Sequence, residues 1–273
     1  MDLASVNGRV TPLADATVSV LDRGLRLGDG AYEVMRAYGG RPFHLREHLA
    51  RLDASCRAIA IAPPALDTLD AAVRDLLTRS GHGDAAIDLV VTRGQGPRPT
   101  APAGPLVPTV ILIVTGHPVR ELDPVCVATV PDIRSARSDI KSLSLLPKVL
   151  TSLEAQRRGA AEGIYVDAAG FVREGTSSNI FAVVRGTLHT PPLGHELLAG
   201  VTRAVVIDLC RAEGLPVSEA PLPLSDLLRA DEAFLTSTLR EVVPIARIDD
   251  VLLGTDRPIT RRLQAAFARL RQG

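Results

Sequence analysis

The chain has 273 residues, 31 Lys+Arg against 31 Asp+Glu, and is 46% hydrophobic and 23% charged. Zero formal charge removes the electrostatic case for nucleic acid or an anionic membrane surface as partner, and this hydropathy excludes a disordered chain. The length fits one or two domains, and with neither a basic n-region nor an apolar h-region in MDLASVNGRV, and five prolines in the longest uncharged stretch, 99–119, a soluble cytoplasmic protein without a membrane span is expected.

In chain order, ATVSVLD at 16–22 alternates and predicts a strand, followed by a glycine-punctuated turn through Arg23-Gly24 and Gly28-Asp29-Gly30. After AYEVMRAY, residues Leu45, His48, Leu49, Leu52 and Cys56 recur at helical spacing, and a second helix is predicted over 67–80. Strands follow over 84–93, 107–116 and 124–130. The polar joint HPVRELDP before the last of them is the candidate interdomain linker. LLPKVLTSLEAQRRGAAEG at 145–163 reads as an amphipathic helix ending in glycine, and the next segment as short strands broken at Gly170, Gly175 and Gly186. A helix over 201–213, strands near 231–237 and 242–249 and a terminal helix over 258–271 complete a mixed α/β chain. Cys56, Cys126 and Cys210 lack metal-ligand spacing, so buried free thiols and no metal are expected.

Only two of the 31 basic residues are lysine, Lys141 and Lys148. Arginine never deprotonates and only lysine forms a Schiff base, so a lysine retained in so arginine-rich a chain is a candidate for chemistry arginine cannot do. Lys141, flanked by Ile140 and Leu143 ahead of the predicted helix, is expected half-buried, with its pKa lowered by desolvation; Lys148 reads as a solvated charge. Glu174 ends a predicted strand before Gly-Thr-Ser-Ser, where a turn carboxylate accepting backbone hydrogen bonds is the plain alternative. AGVTR at 199–203 starts a helix, where free N–H groups favour an anion, and TST at 236–238 ends a strand in three hydroxyls. Neither segment is a Walker or dinucleotide fingerprint. Lysine, carboxylate and anion cradles are the parts required for pyridoxal phosphate chemistry.

Five strings in order, DRGLRLGDGAYEVMRAYGGRPFHLREHLARL, DIKSLSLLPKVLTSLEAQRRGA, VREGTSSNIFAV, LLAGVTR and DEAFLTSTLREVVPI, closely resemble the fold-type IV pyridoxal phosphate enzymes. That family holds the branched-chain aminotransferases, D-amino acid aminotransferases and aminodeoxychorismate lyases. The resemblance implies a small N-terminal α/β domain over 1–117, a linker over 118–123 and a larger pseudo-barrel domain over 124–273 carrying the cofactor lysine, with the cofactor between them. It also implies a homodimer. On the matching positions, it makes Lys141 the Schiff-base lysine and shuttle of the Cα proton, and Glu174 the partner of the pyridine nitrogen. Arg51 becomes a phosphate ligand rather than an i,i+4 partner of Glu47, joined by Gly200, Val201, Thr202, Ser237 and Thr238. Leu198 is expected on the ring face, Ser177 behind the site, and Tyr32 and Glu33 along the pocket.

The branches differ in how they hold the substrate carboxylate. After VTRG the D-amino acid branch shows Arg-x-His, whereas this chain has Arg98-Pro99-Thr100, keeping the arginine and losing the histidine. Arg26 and Arg36 are the candidate replacements, with ordinary surface arginines as the alternative. The branched-chain pattern Tyr-x-Arg is missing from the preceding strand, which has Asp88 and Val90, and the lyase pattern Arg-Gly-Tyr is also absent. The expected activity is transfer of the amino group of a D-amino acid, of D-alanine or D-glutamate type, to a 2-oxo acid, with (R)-primary amines as further donors. L-branched-chain transamination, aminodeoxychorismate cleavage and a non-catalytic cofactor-binding homologue are the alternatives.

Overall fold

A computed structural model describes residues 1–98, 100–102, 104–134 and 137–272. The chain divides into two units. Unit 1, Met1–Arg120 with Ile140–Leu145, contains β1 (Leu3–Val6), β2 (Arg9–Pro12), α1 (Arg23–Leu27), β3 (Gly30–Tyr38), β4 (Arg41–Pro42), α2 (Leu45–Ala58), α3 (Leu66–Ser80), β5 (Ala85–Thr92) and β6 (Thr109–Gly116). Its strands form one sheet in the order β2-β1-β6-β5-β3-β4. The apolar stripes of α2 (Leu45, Leu49, Leu52, Cys56) and α3 (Leu69, Val73, Leu76, Leu77) are buried in one core with Ala31, Met35, Ile87, Leu89 and Val91. Because side chains alternate along a strand, the opposite face of the sheet carries Tyr32, Val34 and Arg36 of β3 beside Val90, Asp88 and Ala86 of β5, in direct register.

The expected strand at 16–22 is irregular instead. Val20 and Leu21 are exposed, and only Asp22 makes a bridge, to Gln95. Alternation alone did not suffice: among the described residues the segment adds to neither edge strand, β2 or β4. Asp22 serves as N-cap of α1, accepting from Gly24 N at 2.7 Å. The β1–β2 hairpin, unforeseen in the periodicity, turns on Asn7 (φ 50) and Gly8 (φ 84), the dipeptide favoured where both turn residues need positive φ.

Unit 2, Glu121–Asp139 with Leu146–Gly273, contains β7 (Val125–Pro131), α4 (Leu146–Arg157), β8 (Glu162–Val166), β9 (Phe171–Gly175), β10 (Asn179–Val184), β11 (Thr187–Thr190), α5 (Val201–Ala212), β12 (Val217–Glu219), β13 (Leu222–Pro223), α6 (Leu224–Leu227), β14 (Glu232–Ser237), β15 (Glu241–Ile248), β16 (Val251–Leu252) and α7 (Pro258–Gln272). The sheet order is β12-β11-β10-β14-β15-β7-β8-β9-β13, with β16 on β15. Strands β9 and β10 are five ladder steps apart yet joined by only Thr176–Ser178. Five flat strand spacings would need roughly 24 Å, whereas the four residue steps from Gly175 to Asn179 reach about 14 Å, so the sheet must curl. Among the described residues no ladder joins β12 to β13, so the barrel is an open one.

The segment around Lys141 was expected within the larger C-terminal domain but belongs to unit 1. Tyr32 N donates to Lys141 O (3.0 Å), Leu143 N to Gly30 O (2.9 Å), and Ser142 bridges Ala31. Gly30 permits this, because a Cβ there would lie 2.7 Å from both Leu143 Cδ1 and Val91 O. Cys56 and Cys210 are buried free thiols and Cys126 is half-buried. No group of metal-ligating side chains occurs among the described residues, and no helix is long and apolar enough to cross a membrane.

Candidate active site

In unit 1 the site begins on the two faces of β3. Glu33 points toward α2 and is fully buried. Its Oε1 accepts from Arg51 Nε and its Oε2 from Arg51 Nη2, each at 2.7 Å, and Oε2 also meets His48 Nδ1 at 2.8 Å. Burial pushes the Glu33 carboxyl up, but the Arg51 charge and the hydrogen bonds from Arg51 and His48 outweigh it and hold the pKa down at about 2. Burial lowers the His48 pKa against the pull of Glu33 and so disfavours the charged ring. An ionised carboxylate only accepts, so the Nδ1 proton belongs to His48. Arg51 therefore pairs with Glu33, eighteen residues away, and not with Glu47. Glu33 does not share a pocket-lining face with Tyr32: the two alternate to opposite sides of the strand.

One turn beyond Arg51 on α2, Ser55 Oγ accepts from Lys141 N at 3.2 Å, tying the lysine segment to the arginine helix. Lys141 is half-buried, and its Nζ lies 4.2 Å from the centroid of the Tyr32 ring, a cation–π contact. Asp88 is on the same sheet face; burial raises its pKa, and the Lys141 charge acts in the opposite sense.

In unit 2 Glu174, at the end of β9, is buried. Arg134 ion-pairs with its Oε1, while Oε2 accepts from Leu198 N (3.0 Å) and Asn179 Nδ2 (3.2 Å). Arg134 is itself fixed by Asp132 (2.8 Å), by Glu196 O (2.7 Å) and by the Tyr165 ring, 4.2 Å below its guanidinium carbon. Asn179 Nδ2 also donates to Leu198 O (3.0 Å), and its Oδ1 would lie 2.0 Å from a Cβ at Gly200. Asn179 thus joins Glu174 and Leu198 to the start of α5, and it pairs with Thr236 of β14, which leads into Ser237 and Thr238. Ser177 N donates to buried Glu162 at 2.7 Å and its Oγ at 3.2 Å, and Arg240, bonded to both residues, also donates from Nε to Ser237 Oγ at 3.4 Å, which links Ser177 to the Ser237 end of β14.

Three observations fit a phosphorylated ligand at this end of unit 2. No side chain caps α5 at Gly200, so its first-turn amides are available to an anion. A Cβ at Gly200 would meet Asn179 Oδ1 at 2.0 Å, and buried Thr236 Oγ1 has no hydrogen-bond partner among the described residues.

Of the candidate carboxylate ligands, Arg36 is buried, its guanidinium 5.0 Å from the Tyr38 ring and 3.4 Å from His117 O, four residues along β3 from Tyr32 and away from Lys141. Arg26 and Arg98 are exposed, and Arg26 Nη1 donates to Gly96 O (3.4 Å), two residues before Arg98. Pro99 lies outside the described residues. Sequence reasoning missed Arg134, Asn179 and Ser55, whose links to Glu174, Leu198 and Lys141 span 40, 19 and 86 positions of the chain.

A family model described as amino-transferase class IV matches residues 30–248, most of the chain and both units. The chain belongs to the class IV aminotransferases. A relative from Methanocaldococcus jannaschii, named a putative branched-chain-amino-acid aminotransferase, is 39% identical over 97% of this chain and 95% of its own. A D-alanine aminotransferase of Bacillus licheniformis is 37% identical over 96% and 94%. Among solved structures, a branched-chain aminotransferase of the archaeon Thermoproteus uzoniensis with norvaline superposes with a TM-score of 0.92 at 30% identity, covering 98% of this chain and 94% of that one. This class IV aminotransferase has the fold-type IV architecture and uses pyridoxal 5′-phosphate.

Proposed function

We propose that this aminotransferase moves the amino group of a D-amino acid, of D-alanine or D-glutamate type, to a 2-oxo acid, and accepts (R)-primary amines as further donors. One observation carries the reading: Arg26 is hydrogen-bonded to the loop that holds Arg98, so one exposed edge of unit 1 offers two guanidiniums to a donor carboxylate. Arg26 then takes the place of the histidine this chain lacks. The name of the Bacillus licheniformis relative agrees with this branch.

When bound, pyridoxal phosphate supplies an aldehyde that captures amines and a ring that withdraws electrons from the donor Cα. Arg51, Gly200, Val201, Thr202, Ser237 and Thr238 would hold its phosphate, with Leu198 against the ring. Glu174, oriented by Arg134, Asn179 and the Leu198 amide, would hold the proton on the pyridine nitrogen. Lys141 Nζ would take up and return the donor Cα proton, and the Tyr32 ring under Nζ would limit where the amine travels. A 2-oxo acid returns through the same proton movements in reverse.

A homodimer is part of this proposal. Leu146, Val149, Leu150 and Leu153 recur at i, i+3, i+4 and i+7 on α4, and all are exposed, a stripe suited to an isologous contact. Sedimentation at twice the chain mass supports it, and a monomer at working concentration refutes it.

The deciding experiment records the visible cofactor band while D-alanine, L-leucine or (R)-1-phenylethylamine is added. Bleaching by D-alanine but not L-leucine is expected, and Lys141→Ala is expected to abolish transamination; turnover by that variant sinks the assignment of Lys141. The second reading, L-branched-chain transamination, is favoured by Val34, Val90, Ile111 and Ile113 on the Tyr32 face of the sheet, which suit an aliphatic side chain. Bleaching by L-leucine alone would select it.

A further inference from the structure

Asp88 is the one acidic side chain among the β3, β5 and β6 positions that share the Tyr32 face. It pairs directly with Val34 on one side and Ile113 on the other, with Val90 two residues along its own strand. It is half-buried and accepts no hydrogen bond among the described residues. Arg36 stands at one diagonal but is turned to the Tyr38 ring and His117 O, so this carboxylate beside Val34, Val90 and Ile113 carries a desolvation cost, and a site that retains one has a use for its charge. Asp88 stands diagonally across the ladder from Tyr32, whose ring carries Lys141 Nζ. Diagonal neighbours on adjacent strands are about 7–8 Å apart, the reach of a side chain with three or four methylenes.

We infer that Asp88 sets the donor class: its carboxylate receives a cationic group at the far end of the donor side chain and turns away a second carboxylate. The inference rests on the proposed reading of Lys141 as the centre where the donor Cα is held, and it narrows that reading to the D-alanine type and to donors with a basic side chain, setting the D-glutamate type aside. Donors of ornithine or lysine length gain from Asp88, alanine is too short to meet it, and glutamate is repelled by it. A carboxylate that merely tuned Lys141 would alter all donors by the same factor.

The test compares kcat/KM for alanine, ornithine and glutamate, in whichever enantiomeric series bleaches the wild-type band, between wild type and Asp88→Asn. The isosteric variant is expected to lower the ornithine-to-alanine ratio at least tenfold and to raise the glutamate-to-alanine ratio several-fold. Unchanged ratios in a variant that retains its visible band overturn the inference. Calorimetric titration of the wild-type holoenzyme with 4-guanidinobutanoate and with glutarate, neither of which has a primary amine to react, gives a readout independent of turnover. Tighter binding of the guanidino acid, reversed or levelled by Asp88→Asn, is expected; equal affinities in the wild type refute the role of Asp88 even if the variant fails to fold. Bleaching by neither enantiomeric series would instead refute the proposed function, while the calorimetric ranking still judges Asp88.

Discussion

Replacing Glu33 by Gln tests the link between fold and site. Both carboxylate oxygens accept, from Arg51 and from His48, and the residue is fully buried. A glutamine keeps the shape but removes the charge and sets an NH2 donor against N–H donors. The carboxyl pKa falls from 4.5 to about 2 on folding, which corresponds to about 3 kcal/mol of stability at neutral pH. Because the folded pKa is the depressed one, that stability is fully present above pH 4.5 and is lost as pH falls toward 2, with less than half of it left at pH 3. Breaking a buried ion pair from one side costs about 3–5 kcal/mol in general, in agreement with this figure. Urea unfolding of wild type and Glu33→Gln, followed by circular dichroism, is expected to differ by about 3 kcal/mol at pH 7, the gap more than halving by pH 3. A difference below about 1 kcal/mol at pH 7, no more than an ordinary neutral hydrogen bond, or one that ignores pH, would refute the claim that Glu33 is held ionised by Arg51.

Gly200→Ala places a methyl 2.0 Å from Asn179 Oδ1 at the start of α5. Cofactor affinity, read by equilibrium dialysis, is expected to weaken at least tenfold, and unchanged affinity would remove Gly200 from the phosphate assignment. Arg134→Met leaves buried Glu174 without its cation, and unfolding free energy should fall by about 3–5 kcal/mol; a neutral effect in urea titrations would show that Asn179 and the Leu198 amide suffice. Wild-type behaviour of either variant would be visible without any assay of turnover.

Local periodicity suffices where the burial of one face decides the structure. The stripe of α2, the buried run of β14 and the uncapped start of α5 were legible in sequence, whereas the roles of Lys141, singled out by its rarity in an arginine-rich chain, and of Glu174, singled out by the resemblance of VREGTSSN to a known motif, stand as proposals. Partnerships were not legible. Arg51 had an i,i+4 acid in Glu47 and took Glu33 instead, because a buried charge gains more from a bidentate partner across the helix–sheet contact than from an exposed neighbour. The alternation at 16–22 had every local feature of a strand yet joined no ladder among the described residues. Lys141 joined unit 1 because Gly30 lets residues 141–143 lie on β3, a condition set 111 residues earlier in the chain. Tyr32 and Asp88 came to one face only through the register of β3 and β5. Residue chemistry and period are properties of short windows; which charged groups meet depends on packing and strand register, and those exist only in the folded chain.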